Sequence, residues 1–193
     1  MTSLREKAQG NILIFFAMAL TVILAFVALA IDVGGAYRLS TYQQETLELS
    51  KEACQASLNY LKFSNSPETD TGYRIVQTMK NNGYEGDVEV YYFEQPQSVT
   101  GVTERHCVVG VNVTKDHKTG FAAVVGIDKL PVSNSIVWTS KPYSSTQVWR
   151  PTGSHNKKIV YSITSSGYLT KSQTTIASVN DLPAAMADAV KAM

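Results

Sequence analysis

Ile12 to Ile31 read ILIFFAMALTVILAFVALAI, and of these residues only Thr21 is not apolar. A helix crossing the hydrocarbon core of a bilayer needs about 20 apolar residues, because every backbone N–H and C=O must be bonded within the helix. The run holds no charge and no proline, so it is long enough to span. It predicts a transmembrane helix over 12–31, and whatever follows it acts tethered to a membrane or sorted by one.

The flanks orient the run. Residues 1–11, MTSLREKAQGN, carry Arg5 and Lys7 against Glu6, whereas Asp32 follows the run and the next cation is Arg38. Cations favour the cytoplasmic side. The expectation is a single-pass protein of the cell membrane, with residues 1–11 as a cytoplasmic leader and the bulk of the chain extracytoplasmic. Two other readings of the N-terminus stay open. Ala28-Leu29-Ala30 has the form of a signal-peptide cleavage site. Gly10, after a short basic leader, has the form of a prepilin-type site cut before Asn11.

Within the run, Ala17, Thr21, Ala25 and Ala28 recur at steps of three and four, a small-residue face suited to close helix association in lipid. Asp32 is the charge at the membrane exit. It is either an ordinary polar stop or a carboxylate that pairs with a cation of a neighbouring span or sets depth, since a charge near hydrocarbon is costly without a partner.

Removing the run and its leader leaves roughly 160 residues, enough for one domain and an extension. Charged residues are 17% of the chain, the net charge is +1, and no long basic block appears. Nucleic acid binding as a main role is thereby excluded, because neutralising phosphates needs clustered Lys and Arg. There is no internal repeat.

Tyr37 to Lys62 lacks proline and glycine and is rich in helix formers. Leu47, Cys54, Leu58 and Leu61 make its apolar stripe; Ser50, Ala53, Ala56 and Ser57 make a small-residue face. Gly34 and Gly35 weaken continuity, yet one helix running from membrane into domain is the expectation. Ser66-Pro67 starts a second helix and Asn82-Gly83 ends it. Period two then takes over: Val88, Val90 and Tyr92 alternate in Asp87–Phe93, and Cys107, Val109, Val111 and Val113 alternate in Arg105–Thr114, predicting an antiparallel hairpin. Lys118 to Gly126 reads as a short apolar helix or turn, and Pro131–Ser140 as a third strand. The fold class is therefore α+β: a transmembrane helix continuing into a long helix packed on a small antiparallel sheet. The expected domains are 32–142, the extracytoplasmic α+β unit, and 143–193, an extension. In that extension Lys157–Thr164 and Tyr168–Val179 read as strands and Asp181–Met193 as a helix, which either extend the sheet or form a separate lobe.

No constellation suggests catalysis. G-x-S-x-G, Walker A and G-x-G-x-x-G sequences are absent. His106, His117 and His155 have no partner at metal-ligand spacing and read as solvated. Asp87 and Glu89 read as exposed. The expectation is a non-enzyme with no cofactor, metal or small-molecule substrate. Cys54 and Cys107 lie on apolar faces of a helix and a strand. Outside the cytoplasm they would form a disulfide, worth about 4 kcal/mol in the chain-entropy model; otherwise they are buried thiols.

Residues 8–142 resemble Tad (tight adherence) pilus-assembly proteins of the TadE/TadG type. The resemblance is carried by Gly10, by the alanine-rich span with Ala17 and Leu20, by the exit Ala30-Ile31-Asp32-Val33-Gly34, and by Tyr37 and the long helix. Farther on, Val109-Gly110-Val111-Asn112-Val113 and the segment from Thr119-Gly120-Phe121 to Gly126-Ile127 look like the family's strand followed by an F…GI segment. Two departures stand out. Pilins carry glutamate five residues after the cleavage point, where this chain has Phe15. The metal-binding D-x-S-x-S motif of larger TadG-type proteins is absent. The resemblance implies a structural or assembly subunit of a Tad/Flp-type pilus or related secretion machine, similar to a minor pilin or pseudopilin. Its partners would be membrane lipid and other pilus or secretion subunits, in a homo- or hetero-oligomer, either in the membrane or incorporated into a surface filament. The alternative is a membrane-anchored or secreted adhesin or ligand-binding domain acting alone.

Overall fold

A computed structural model describes residues 2–57, 64–94, 107–139 and 155–192, with the backbone alone for residues 2–11 and 125. Helix α1 runs without interruption from Thr2 to Ala56, through Gly34 and Gly35. Helix α2 covers Pro67–Asn81. Strands β1 (Gly86–Glu94), β2 (Cys107–Lys118), β3 (Lys129–Thr139), β4 (Lys157–Thr164) and β5 (Gly167–Thr175) follow, and α3 (Ala184–Lys191) closes the chain. The α+β class is as expected. Leu58, Leu61, His106 and the turn expected at 96–101 lie outside the described residues.

Two compact units emerge: residues 1–39 with 116–132, and residues 40–115 with 133–193. The larger is built on one sheet in the order β3-β2-β1-β4-β5. β1 pairs antiparallel with β2, placing Val90 opposite Val111, and antiparallel with β4, placing Val90 opposite Ile159. The open question about the C-terminal segment is thus resolved by pairing. β4 is an interior strand beside β1, and β5 adds the edge through an antiparallel pair with β4. β5 is largely exposed and its residues Thr170 to Thr175 are all polar, as suits an edge that must not recruit another chain.

The period-two pattern sends alternate residues of each strand to opposite faces. One face, with Val88, Val90, Tyr92, Val109, Val111, Ile159, Tyr161 and Ile163, packs with Leu47 and Cys54 of α1 and with Ile75, Val76 and Met79 of α2. The opposite face presents Tyr91, Phe93 and Val108 to Leu182, Met186 and Val190. So the sheet is covered on both sides, by α1 and α2 on one and by α3 on the other.

The local chemistry of α2 explains its ends. Pro67 occupies the first turn, where its missing N–H costs nothing. Glu68 and Asp70 lie at the positive end of the helix dipole and Lys80 at the negative end. Gly83 takes φ 81°, the left-handed cap that other residues resist. Tyr42 of α1 donates from its hydroxyl to the Asn82 carbonyl at 2.7 Å, so this aromatic secures the end of α2.

Glu68 is buried, and its carboxylate accepts from Lys157 Nζ at 2.8 Å and meets His155 Nδ1 at 2.9 Å. His155 is therefore a hydrogen-bond partner of a buried carboxylate, correcting its reading as a solvated group. Asp87 pairs with Lys171 and Glu89 with Lys158, each at 2.7 Å.

Tyr161 is fully buried in the core, and among the described residues its hydroxyl finds no hydrogen-bond partner. Burial raises its pKa, because phenolate would lose its hydration. An unpaired buried hydroxyl costs about 1–3 kcal/mol. Tyr161→Phe is accordingly expected to stabilise the protein by about 1 kcal/mol, read as a higher urea midpoint of the detergent-solubilised chain. A loss of stability would show that the hydroxyl is bonded.

Candidate functional site: the apolar N-terminal helix and the hairpin tip

The smaller unit joins the N-terminal part of α1 to the tip of the β2–β3 hairpin. One helix among the described residues, α1, is long and apolar enough to cross a membrane, and none of its apolar window is buried. Its large side chains from Ile12 to Ile31 are each 46–70% exposed to the surroundings. In water that surface would be a severe liability; in hydrocarbon it is matched.

At the end of the run the sequence changes character and so does the structure. Asp32 is 3% exposed. Its Oδ1 accepts the Gly120 N–H at 2.8 Å, and its Oδ2 accepts those of Phe121 and Ala122 at 3.0 and 2.6 Å. These N–H groups precede and begin the short 3-10 turn at Ala122–Val125, where donors have no helical partner. The carboxylate supplies it. These bonds, that from Ala122 first, hold the Asp32 pKa below the ordinary carboxylate range. The charge at the end of the run is compensated by backbone dipoles of its own chain.

The tip is self-contained. Thr119 N–H bonds the Asp128 carbonyl at 3.1 Å, Gly126 N–H bonds the Ala123 carbonyl at 3.0 Å, and Ile127 N–H the Ala122 carbonyl at 3.0 Å. Gly126 sits at φ 87°, which closes the turn in the left-handed region. A glycine in a helix interior costs about 1 kcal/mol relative to alanine, and α1 carries two at its exit. Gly35 has a reason: a Cβ there would lie 2.5 Å from the ring of His117. His117 thus packs on bare helix backbone, a role its isolated position in the sequence did not signal.

The small-residue face divides in two. Thr21 donates its hydroxyl to the Ala17 carbonyl at 2.9 Å, so that group is already satisfied within the helix. Ala25 and Ala28 line an apolar cavity of about 360 Å³ with Leu24, Leu29, Phe121, Ala122, Val124 and Ile127. Gly10 and Asn11 lie within the unbroken α1 backbone.

Cys54 and Cys107 both belong to the core cluster of the larger unit as thiols, and the disulfide expected between them is not formed. Burial pushes the Cys54 thiol up to about 12, with Arg74 partly opposing and Cys107 adding to the rise. Disulfide exchange proceeds through thiolate, which this environment suppresses. Among the described residues no group of His, Cys, Asp and Glu could hold a metal ion.

Asp32→Asn is expected to loosen the tip. Amide exchange at Gly120, Phe121 and Ala122 should rise by about tenfold, because a neutral amide oxygen replaces a charged acceptor and only one oxygen remains. The pH dependence follows from the lowered pKa. A carboxylate depressed in the folded state contributes above its unfolded value of 3.8 and loses that contribution as pH falls through the lower folded value. Protection factors at these amides, taken relative to the intrinsic exchange rate at each pH, should therefore carry no Asp32 titration between pH 5 and 8 and should fall only under stronger acid.

Comparison with curated proteins and with solved structures finds no match. Comparison with protein families finds one, covering Gly10, the apolar run, Asp32 and the helix beyond it. Residues 10–49 match the family described as "Putative Flp pilus-assembly TadE/G-like", so this segment of the chain is similar to that family.

Proposed function

We propose that the protein is a non-enzymatic, single-pass membrane subunit of a Tad/Flp-type pilus or related secretion machine. Residues 12–31 are its anchor, residues 1–11 lie in the cytoplasm, and the sheet domain lies outside and makes protein contacts. The observation that carries this reading is the coincidence of the family match at 10–49 with an exposed apolar helix that ends at Asp32. A bare apolar helix needs lipid or another helix around it. The arrangement of cations before the run and Asp32 after it supports the orientation. Ala17 and the neighbouring backbone leave a small-residue surface free for a second helix, so the subunit acts within a homo- or hetero-oligomer. The role is that of a minor pilin or pseudopilin-like component, with Phe15 in place of the glutamate of major filament subunits.

The test is purification of the full chain from native membranes, followed by identification of what accompanies it and sequencing of its N-terminus. Recovery with other pilus subunits, and loss of surface pili on deletion, are expected. A start at Met1 or Asn11 keeps the anchor. A start at Ile31, or a protein that purifies alone from cells whose piliation is unaffected by its deletion, overturns the proposal and favours a free adhesin.

A further inference from the structure

The apolar cavity beside α1 has a neighbour farther along the helix. This second cavity holds about 600 Å³, and Phe121 is a wall of both. The first is lined entirely by apolar side chains, from Leu24 to Leu29 on the helix and from Phe121 to Ile127 on the hairpin tip. The second is lined by Ala30 to Arg38 on the helix, and by His117, Lys118 and Gly120. The sequence of surfaces along the helix is therefore hydrocarbon first, cations after. Phe121, Val124 and Ile127 project from the tip at 50%, 87% and 48% exposure, an apolar patch that no described residue covers. Arg38 and Lys118 are exposed too. Asp32 also faces the second cavity, but its two oxygens are engaged by the three tip amides. The two cations outnumber it, so an anion is favoured there.

We propose that this paired cavity is a binding site for one anionic phospholipid of the outer leaflet. An acyl chain lies against Leu24, Ala28, Phe121 and Val124, and the headgroup phosphate is held by Arg38, Lys118 and His117. The inference rests on the membrane-anchor reading and extends it: the hairpin tip is a second membrane contact. A lipid is favoured over a protein ligand on two grounds. The apolar cavity is continuous with the bare surface of the run at 12–31, and the cations sit one to two helical turns beyond its end, the order in which a phospholipid presents tail and phosphate. Asp32 locks the tip against the helix and so fixes the distance between the two halves of the site.

Native mass spectrometry of the full chain released from nanodiscs tests this, with phosphatidylglycerol and phosphatidylcholine discs compared. One phosphatidylglycerol per chain should survive release. Arg38→Ala with Lys118→Ala should weaken its retention by about thirtyfold, and Val124→Asp should weaken both lipids. All three positions are exposed, and an unchanged tryptophan fluorescence transition confirms that the variants fold. Equal retention of both lipids, or retention indifferent to the double variant, overturns the proposal. So does a dimer crosslinked through Val124→Cys, which would give the groove to a second copy. Carbonate extraction separates the two levels of the argument. A chain stripped from membranes by carbonate contradicts the anchor itself, while an integral chain without bound lipid contradicts only this site.

Discussion

Met186→Ala is expected to destabilise the protein by about 3 kcal/mol, within the range for emptying a fully buried methionine site. Met186 is fully buried and is the central contact of α3 with its face of the sheet. α3 is only Ala184–Lys191, too short to be helical without that packing. The contact also explains a glycine. A Cβ at Gly110 of β2 would lie 2.9 Å from Met186 Sδ, so the strand is bare where the methionine crosses it. Gly110→Ala should therefore destabilise alone, by about 1–3 kcal/mol of overpacking. In the Met186→Ala background the same change should be nearly neutral, because the sulfur it would strike is gone. The coupling, about 1–2 kcal/mol, is read from a double-mutant cycle of urea midpoints. Additive effects would mean that α3 does not dock on β2.

Glu68→Ala is expected to cost about 2–3 kcal/mol. Its carboxylate is 3% exposed and bonds both Lys157 and His155. Removing one partner of a fully buried pair costs about 3–5 kcal/mol. Lys157 and His155 are about a quarter exposed and recover some hydration, which lowers the figure. Glu68 also stands in the first turn of α2, where a negative charge is favoured. Glu68→Gln should recover part of the loss by keeping one acceptor and the volume. Both variants are compared by thermal unfolding, and equal loss in each would show that the charge, and not the hydrogen bonds, carries the interaction.

The contrast between what could and could not be read from the chain follows from range. The alternation in β1 and β2 announced their pairing and their buried faces, because the strands repeat every two residues and are close in sequence. The break after the apolar run was equally plain. The position of β4 beside β1 was not, since nothing local in KKIVYSIT distinguishes an interior strand from the strand of a separate lobe. Glu68 and His155 lie 87 residues apart, so neither motif nor period links them. Asp32 was conspicuous, yet its partners are backbone N–H groups 88 to 90 residues away, which have no side-chain signature at all. One signal was available: Gly35, inside a helix and near a lone charge, marks bare backbone meeting a ring at close range. The cysteines show the converse error. Their faces were right, and both lie in one core cluster, but sharing a core is not the same as being bonded.

Topology tests the account most directly. Cys54 and Cys107 are fully buried, so cysteines placed elsewhere report alone. Leu169 on β5 is 60% exposed. In spheroplasts, a membrane-impermeant maleimide should label Leu169→Cys at once and Ser3→Cys only after permeabilisation, with both variants in the carbonate-resistant membrane fraction. Labelling of Ser3→Cys in intact spheroplasts with Leu169→Cys protected, or either variant in the soluble fraction, would contradict it.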